Sequence, residues 1–346
     1  MSHSEHIVVL ESIHFPIPKF DLQCPHTIDV HPRTSPDQLH ECLRDATIAI
    51  TTTTPLDAEA LSEAVSPKLR LVNVTATGTD IIDKDACRKR GIRVWYQPGA
   101  NLAAVSEHAI GLYFAARRKT VQLHNATASV PSEWKAKGTL SHIMRDARGN
   151  PPVSCEDETV GIIGYGALGK RIAKLAKALG MNVLISGRKS QPTKTTPGQD
   201  ISNISVGTED IPRVPFPEVI RRATVLILSL PRDPSTVSLL STPEFSAMQP
   251  SAIVINVSRG GIVDEAALLA ALKDSQISGY ASDVLAVEPA EGEADSVLLS
   301  KEARGLNITL SPHLAWFAER TMTNLQDLLK GNIEAWCRGE ERNVVV

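Results

Sequence analysis

The sequence predicts an α/β protein built from two parallel-sheet domains. Three observations carry this expectation. Short β-branched runs alternate with helix-start signals from the N-terminus onward. A second alternating block begins at Thr159. At about 100–200 residues per domain, a chain of 346 residues suits two domains, each able to bury a core.

In the first block, Ile7–Leu10, Thr47–Thr51, Leu69–Val74 and Ile92–Trp95 read as strands, with helices between them. Two helix starts are marked at Ser35-Pro36 and Thr54-Pro55, where a hydroxyl can cap free N–H groups and proline occupies the first helical position. Leu102–Arg118 then reads as one helix, apolar over most of its circumference. Such a helix must be buried on more than one side. The pattern fits an interdomain or subunit interface and equally a central core helix within one domain. An irregular connection spans residues 131–157, with Gly149-Asn150-Pro151-Pro152 within it.

The second block supplies strands at Thr159–Ile163, Asn182–Ile185, Thr224–Leu228, Ala252–Asn256, Ser278–Ala281 and Asn307–Leu310. Between Lys189 and Pro217 lies a Pro, Thr, Ser and Gly-rich stretch that is long for an αβ connection. It reads as a mobile surface loop with one short strand around Ile204–Val206. No internal repeat is evident.

Composition narrows the function classes. The chain has 36 Lys plus Arg against 39 Asp plus Glu, a net charge of −3 and 4% aromatic residues. No basic block supplies the phosphate-neutralising patch of a nucleic-acid binder, so a small-molecule substrate is expected. Cys24, Cys42, Cys87, Cys155 and Cys337 are odd in number and scattered, which reads as reduced thiols. No His-Glu-x-x-His or similar spacing points to a metal. The polar start at Met1–His6 lacks a signal-peptide layout, no run is long enough to span a membrane, and the C-terminus is not a peroxisomal address. The default expectation is a cytoplasmic protein.

The strongest local signal is Thr159-Val160-Gly161-Ile162-Ile163 running into Gly164-Tyr165-Gly166-Ala167-Leu168-Gly169 and then an amphipathic helix. Strand, G-x-G-x-x-G and helix together form a dinucleotide-binding fingerprint. Gly164 would make the tight turn, Gly166 would admit the pyrophosphate to the backbone, and Gly169 would let helix and strand pack closely. The free N–H groups of the helix start would stabilise the anion. At the end of the next strand, where NAD enzymes carry a carboxylate for the adenine ribose, this chain has Ser186-Gly187-Arg188-Lys189. Nothing there repels a 2′-phosphate, while Arg188 offers a fork of donors, Lys189 a charge and Ser186 a hydroxyl. This favours NADP(H), with NAD(H) still possible. The alternative is that these are solvated loop charges on a promiscuous enzyme.

Three further segments follow in order: Val254 to Glu265 around Arg259-Gly260-Gly261, then Asp283-Val284-Leu285-Ala286-Val287-Glu288-Pro289, then Leu310-Ser311-Pro312-His313-Leu314-Ala315-Trp316. With the glycine motif they resemble the D-isomer-specific 2-hydroxyacid dehydrogenase family over nearly the whole chain. The resemblance implies two Rossmann-like domains, one flavodoxin-like and one dinucleotide-binding, with a cleft between them. Residues 1–103 and 314–346 would form the substrate domain, and 104–313 the NAD(P)-binding Rossmann domain. It also implies an active-site triad of Arg259, Glu288 and His313. The chemistry is consistent with that. A guanidinium can hold a carboxylate and polarise a C2 carbonyl, Gly260-Gly261 would let substrate approach the backbone, and an imidazole can deliver a proton near neutral pH while a carboxylate orients it. Asp283 would bind the nicotinamide carboxamide. Ser258, Pro231 and His313 complete the implied cofactor contacts at the strand ends.

Ala76, Thr77 and Gly78, within Thr75-Ala76-Thr77-Gly78-Thr79-Asp80, resemble the family's substrate loop, whose backbone N–H groups grip the carboxylate. Their form, with Trp316 after His313, is similar to glycerate dehydrogenases, also called hydroxypyruvate reductases, which often reduce glyoxylate too. Trp316 would either offer its indole N–H to a substrate hydroxyl or pack at a domain hinge. Thr52-Thr53 departs from the Asn-Lys that relatives often carry. The resemblance further implies a homodimer through the 102–118 helix, with Trp134 near the partner's cleft. Alternatives are a reductase of bulkier or branched 2-ketoacids and a dinucleotide-sensing corepressor-like binding protein.

Overall fold

A computed structural model describes residues 4–190 and 212–346. The strand expected at Ile204–Val206, and most of the 189–217 connection, lie outside them. The chain divides into two compact units, Met1–Asn101 with Phe317–Val346, and Leu102–Trp316.

The first unit opens with β1 (Glu5–Val9), β2 (His26–Val30), α1 (Pro36–Leu43), β3 (Ile48–Thr51), β4 (Leu71–Val74), α2 (Lys84–Arg90) and β5 (Arg93–Trp95). Its five strands are all parallel, in the order β2-β1-β3-β4-β5. The central strands are mostly apolar because both faces are covered: every residue of β3 and β4 is buried, Thr51 and Asn73 being the polar ones, and Val8, Leu43, Leu56, Val72 and Val94 share one core. β2 was missed in sequence, since His26-Thr27-Ile28-Asp29-Val30 is exposed throughout. It is an edge strand whose pairing comes from β1 rather than from burial. Ser35 caps α1 in a capping box with Gln38, and Asp83 caps α2 through the Ala86 N–H at 2.9 Å.

The helix expected from Thr54-Pro55 does not form, and residues 57–65 are a series of turns. Leu56 is held extended by a bridge to Ile82, so the chain cannot curl until Asp57, whose carboxylate accepts the Ala60 N–H at 2.9 Å.

The second unit contains α3 (Leu102–Arg117), α4 (Thr120–Ala128), α5 (Glu133–Lys137), α6 (Ser141–Met144), β6 (Thr159–Ile163), α7 (Ala167–Ala178), β7 (Asn182–Ile185), α8 (Phe216–Arg222), β8 (Val225–Leu228), α9 (Thr242–Ala247), β9 (Ile253–Asn256), α10 (Glu265–Lys273), β10 (Gly279–Ser282) and β11 (Ile308–Leu310). The six strands run parallel in the order β11-β10-β9-β8-β6-β7. The strand order reverses beside β6, and ligands of such sheets bind outside the carboxyl ends at this switch point.

α3 is a core helix of this unit: Val105, Ala109, Leu112, Tyr113 and Ala116 pack with Val160, Ile162, Ile172, Ile253 and Ile255. A buried ion pair fastens its C-terminal end. Arg117 Nε donates to Glu158 at 2.6 Å, and its other nitrogens reach the carbonyls of Ser251 and Thr224 at 2.8 and 3.0 Å. The 131–157 connection carries α5 and α6, short helices that its turn-rich composition concealed. Ser132 caps the first of them and Gly138 ends it in the left-handed region.

α11 (Glu319–Cys337) returns to the first unit. Asn332 is buried there and donates to Asn73 at 2.8 Å and to the Tyr96 carbonyl at 3.1 Å.

The turn after β3 depends on Glu11. One carboxylate oxygen accepts the backbone N–H groups of Thr52, Thr53 and Thr54 at 2.9, 2.7 and 2.9 Å, and the other the Thr53 hydroxyl. Burial pushes this carboxyl up, but His14, the Thr53 hydroxyl and the N–H groups outweigh it and hold it well below the usual carboxylate range. The folded protein therefore keeps Glu11 charged at a pH where the unfolded chain protonates it. Its contribution is complete above the ordinary carboxylate range, declines as pH falls below that range, and is lost as pH passes the folded value. Glu11→Gln is expected to destabilise the protein by about 2–3 kcal/mol at pH 7, the size of lost charge-assisted hydrogen bonds. The difference from wild type should shrink in urea melts on acidification; a difference independent of pH would refute the carboxylate's role.

Candidate active site

The carboxyl end of β6 enters the glycine motif. Gly164 has φ +96, and a Cβ there would lie 2.4 Å from the Ser229 carbonyl oxygen. A Cβ on Gly169 would lie 2.1 Å from the Gly164 carbonyl oxygen. Both positions exclude a side chain through backbone contact. Gly166 differs: it is the N-cap of α7, and its Cβ would meet nothing within 4 Å. The missing side chain leaves open space in front of the helix start. There Ala167 and Leu168 begin a twelve-residue helix with no acidic residue in its first turn. First-turn N–H groups lack intrahelical partners, so this cradle fits the pyrophosphate of a dinucleotide.

At the end of β7 the predicted residues separate. Ser186 is buried and its hydroxyl donates to the Gly187 carbonyl at 2.8 Å. Lys189 is drawn away: its ammonium lies 2.7 Å from Glu244 and donates to the Leu239 carbonyl at 3.0 Å. Arg188 is exposed on the turn. Arg213 meets the end of β7 at Ser186, its guanidinium 5.2 Å from the centre of the Tyr165 ring.

β8 and β9 end side by side. The Ser258 hydroxyl accepts the Leu230 N–H at 3.1 Å, which joins the two strand ends next to Pro231. Arg259 follows. Its carbonyl accepts from Asn256 at 3.0 Å, and its guanidinium donates to the Ser258 carbonyl at 2.8 Å. The neighbouring glycine serves a different purpose from the one expected. A Cβ on Gly260 would lie 1.7 Å from the Leu285 carbonyl oxygen, so Gly260 lets the Arg259 loop pack against the loop that carries Glu288, rather than leaving room for substrate.

β10 and β11 pair in parallel, with Ser282 opposite Leu310. Asp283 and Ser311 thus leave the sheet together. Asp283 is buried, and its carboxylate accepts the Ser311 hydroxyl at 2.6 Å and the N–H groups of Leu314 and Ala315 at 3.0 and 2.8 Å. The Asp283 carbonyl accepts the His313 N–H at 2.8 Å. These bonds hold His313 at φ 56, in the left-handed region that non-glycine residues rarely adopt. The imidazole Nδ1 meets Glu288 Oε2 at 2.6 Å, and Glu288 Oε1 accepts the Leu285 N–H at 2.8 Å. Burial pushes the Glu288 carboxyl up. The His313 hydrogen bond and charge, the Leu285 N–H and the Arg259 charge outweigh it and hold the carboxyl below its ordinary value.

Trp316 does not present its indole N–H to a ligand. That group donates to the His313 carbonyl at 2.8 Å, closing the same loop. In the first unit, the Ala76 carbonyl accepts the Gln97 N–H at 3.1 Å, the Thr77 hydroxyl reaches Asn101 at 3.2 Å, and Gly78 continues the turn after β4.

Four residues that shape these turns escaped sequence reasoning: Glu11 at the turn after β3, Arg213 at the end of β7, Ser311, and His108, whose Nε2 lies 2.8 Å from the Ser311 hydroxyl. Ser311 was adjacent to a recognised motif residue and could have been found. The other three act across long sequence separations and carry no local pattern.

Comparison with known proteins identifies the family. The family profile described as D-isomer specific 2-hydroxyacid dehydrogenase, NAD binding domain, matches residues 110–315, all within the second unit. The chain is 36% identical to a glycerate dehydrogenase of Methylorubrum extorquens, covering 93% of this chain and 92% of that one. It is 31% identical to a glyoxylate reductase of Pyrococcus furiosus, covering 88% and 83%. Among solved structures, the NADPH-dependent glyoxylate/hydroxypyruvate reductase of Sinorhizobium meliloti in complex with NADP and malonate superposes with a TM-score of 0.73 at 25% identity, covering 99% and 97%. A parallel six-stranded sheet with its glycine cradle, a paired histidine and glutamate, and similarity over most of the chain lead to one assignment: the protein belongs to the D-isomer specific 2-hydroxyacid dehydrogenase family, oxidoreductases that work with a nicotinamide dinucleotide.

Proposed function

We propose that this enzyme is an NADP(H)-preferring reductase of hydroxypyruvate and glyoxylate, forming D-glycerate and glycolate. The observation that carries the chemistry is the 2.6 Å contact between His313 and Glu288, on a loop locked by Asp283. The substrate class is supported by the relatives' activities, and the cofactor preference by Arg188 at a β7 end without a carboxylate.

In this reading Arg259 binds the substrate carboxylate and polarises the C2 carbonyl. The Ala76-Thr77-Gly78 turn keeps its assignment to the substrate carboxylate. Glu288 engages Nδ1, which leaves Nε2 of His313 to face the C2 oxygen and deliver the proton. The Glu288 carboxyl is held below its usual range, so it stays charged through the neutral range and fixes the imidazole through Nδ1 while Nε2 gives up its proton. A nicotinamide dinucleotide held by the glycine motif would, when bound, provide the hydride for C2. His313 is then reprotonated from solvent.

The cofactor contacts are Gly164, Tyr165, Gly166, Ala167, Leu168 and Gly169 at the pyrophosphate end, with Pro231 and Ser258 at the neighbouring strand ends. Asp283 keeps its assignment to the carboxamide alongside its hold on the His313 loop. A homodimer is part of the proposal. Phe114, Val121, Val130 and Trp134 are exposed on or beside α3, α4 and α5, an apolar surface that a second copy would cover.

His313→Asn is expected to lower kcat by about 100- to 10,000-fold, the range of a lost general acid, with dinucleotide affinity nearly unchanged. Glu288→Gln, which removes the carboxylate that engages Nδ1, should lower kcat by at least about 10-fold with dinucleotide affinity nearly unchanged; an unchanged kcat would leave Glu288 without its orienting role. Initial rates with hydroxypyruvate, glyoxylate, pyruvate and a branched 2-ketoacid, each with NADPH and NADH, test the substrate and cofactor together. The two small substrates with NADPH should be fastest; turnover confined to the branched acid would discard the substrate reading and keep the proton donor.

A further inference from the structure

Lys189 is engaged by Glu244, and that changes which cations meet at the adenosine end of the cofactor site. The bridge between Ser186 and Val214 extends the edge of β7: the Gly187 N–H donates to the Val214 carbonyl, and the Val214 N–H to the Ile185 carbonyl, both at 2.8 Å. This rung sets Arg213 against the end of β7, where its side chain reaches Ser186, two residues before Arg188. The Arg213 side chain then turns inward over the glycine motif. Its guanidinium stacks over Tyr165 at 5.2 Å, and Nη1 donates to the Ser186 carbonyl at 3.3 Å.

We propose that Arg213 is a second, specificity-determining ligand for the 2′-phosphate of the cofactor, forming with Arg188 a pair of guanidinium groups around the end of β7. The proposal rests on the NADP(H) reading above. A guanidinium carries five donors in a planar fork; the Ser186 carbonyl takes one, and stacking on a ring face takes none. The stack and the carbonyl hold the fork in place before a ligand arrives, so little side-chain entropy remains to be lost on binding. Among the described residues, the other charges around this turn do not replace it. Lys189 is paired with Glu244. The Asp233 carboxylate is held low mainly by the Ser235 hydroxyl and N–H, with a smaller pull from Arg188, so it is anchored within its own turn. A phosphate dianion there would meet two guanidinium groups, one of them fixed by Tyr165 from the motif that receives the pyrophosphate.

Calorimetric titration of the full-length protein with adenosine 2′,5′-bisphosphate and with adenosine 5′-monophosphate tests this. Wild type is expected to bind the bisphosphate more tightly. Arg213→Gln should weaken the bisphosphate by roughly 10- to 100-fold, as for a lost charge-assisted contact, and change the monophosphate by less than about threefold. Arg188→Ala should show the same pattern. If wild type binds both equally, the NADP(H) reading and this proposal fall together. If wild type prefers the bisphosphate and only Arg188→Ala removes the preference, the cofactor reading stands and Arg213 is not a ligand. Equal weakening of both probes in Arg213→Gln would make Arg213 a support for Tyr165 alone and overturn the proposal. Should that variant not fold, Arg213→Lys, which keeps the charge and loses the fork, should still weaken the bisphosphate selectively by about fivefold; an unchanged bisphosphate affinity would overturn the assignment.

Discussion

The buried carboxylate of Asp283 is the interaction on which the catalytic end of the molecule depends. A left-handed backbone at a residue with a Cβ costs roughly 1–2 kcal/mol, and His313 is held there at φ 56. Three donors converge on the Asp283 side chain, the Ser311 hydroxyl and the N–H groups of Leu314 and Ala315, and its carbonyl takes the His313 N–H. Each charge-assisted bond contributes about 1.5–3 kcal/mol, enough to offset the strained backbone. The parallel pairing of β10 with β11 brings Asp283 and Ser311 out of the sheet side by side, so the strain is maintained by the sheet itself. The consequence is an imidazole aimed at Glu288 with little freedom to turn elsewhere.

Backbone-on-backbone packing does comparable work at the other strand ends. Gly164 and Gly169 bring the turn after β6 against Ser229 and the start of α7. Gly260 brings the Arg259 loop against Leu285. In each case a methyl group would force neighbouring loops apart and displace a functional residue. The glycines therefore act on the site indirectly, and only Gly166 faces open space where a ligand group fits.

These differences in physical role explain what was legible in sequence. The parallel sheets were readable because central strands buried on both faces must be largely apolar, as Ile48-Ala49-Ile50 and Val225–Leu228 are. The edge strand His26–Val30 was not, because its order comes from pairing with β1 and leaves no burial pattern. The helix start at Thr54-Pro55 was misleading because a tertiary bridge from Leu56 to Ile82 overrides a local capping signal. The core position of α3 was half legible: its apolar circumference demanded burial, but only the contacts with Val160, Ile172 and Ile253 show which core receives it. Within the site, motifs identified Arg259, Glu288 and His313 because each lies in a run with a characteristic local order. Glu11 and Arg213 reach their positions through folding over long separations, and sequence spacing holds no trace of that.

A motif names residues without saying which polar atoms remain for a ligand, and hydrogen bonding within the fold decides that. The Trp316 indole N–H, the Ser186 hydroxyl and the Lys189 ammonium all lie in signature segments, yet each is engaged by a neighbouring protein group at 2.7–3.0 Å. Donating the indole N–H or the Ser186 hydroxyl to a ligand would first break that bond and leave its partner carbonyl unsatisfied, a cost of about 1–3 kcal/mol. Such residues shape the loops that present other groups. The groups at the surface of those loops, the His313 imidazole on its Glu288 support and the guanidinium of Arg188, can be desolvated by a ligand without dismantling the turn behind them. Holding and acting are thus divided between nearby residues: Trp316 holds what His313 presents, and the β7 rung to Val214 holds what Arg188 and Arg213 present.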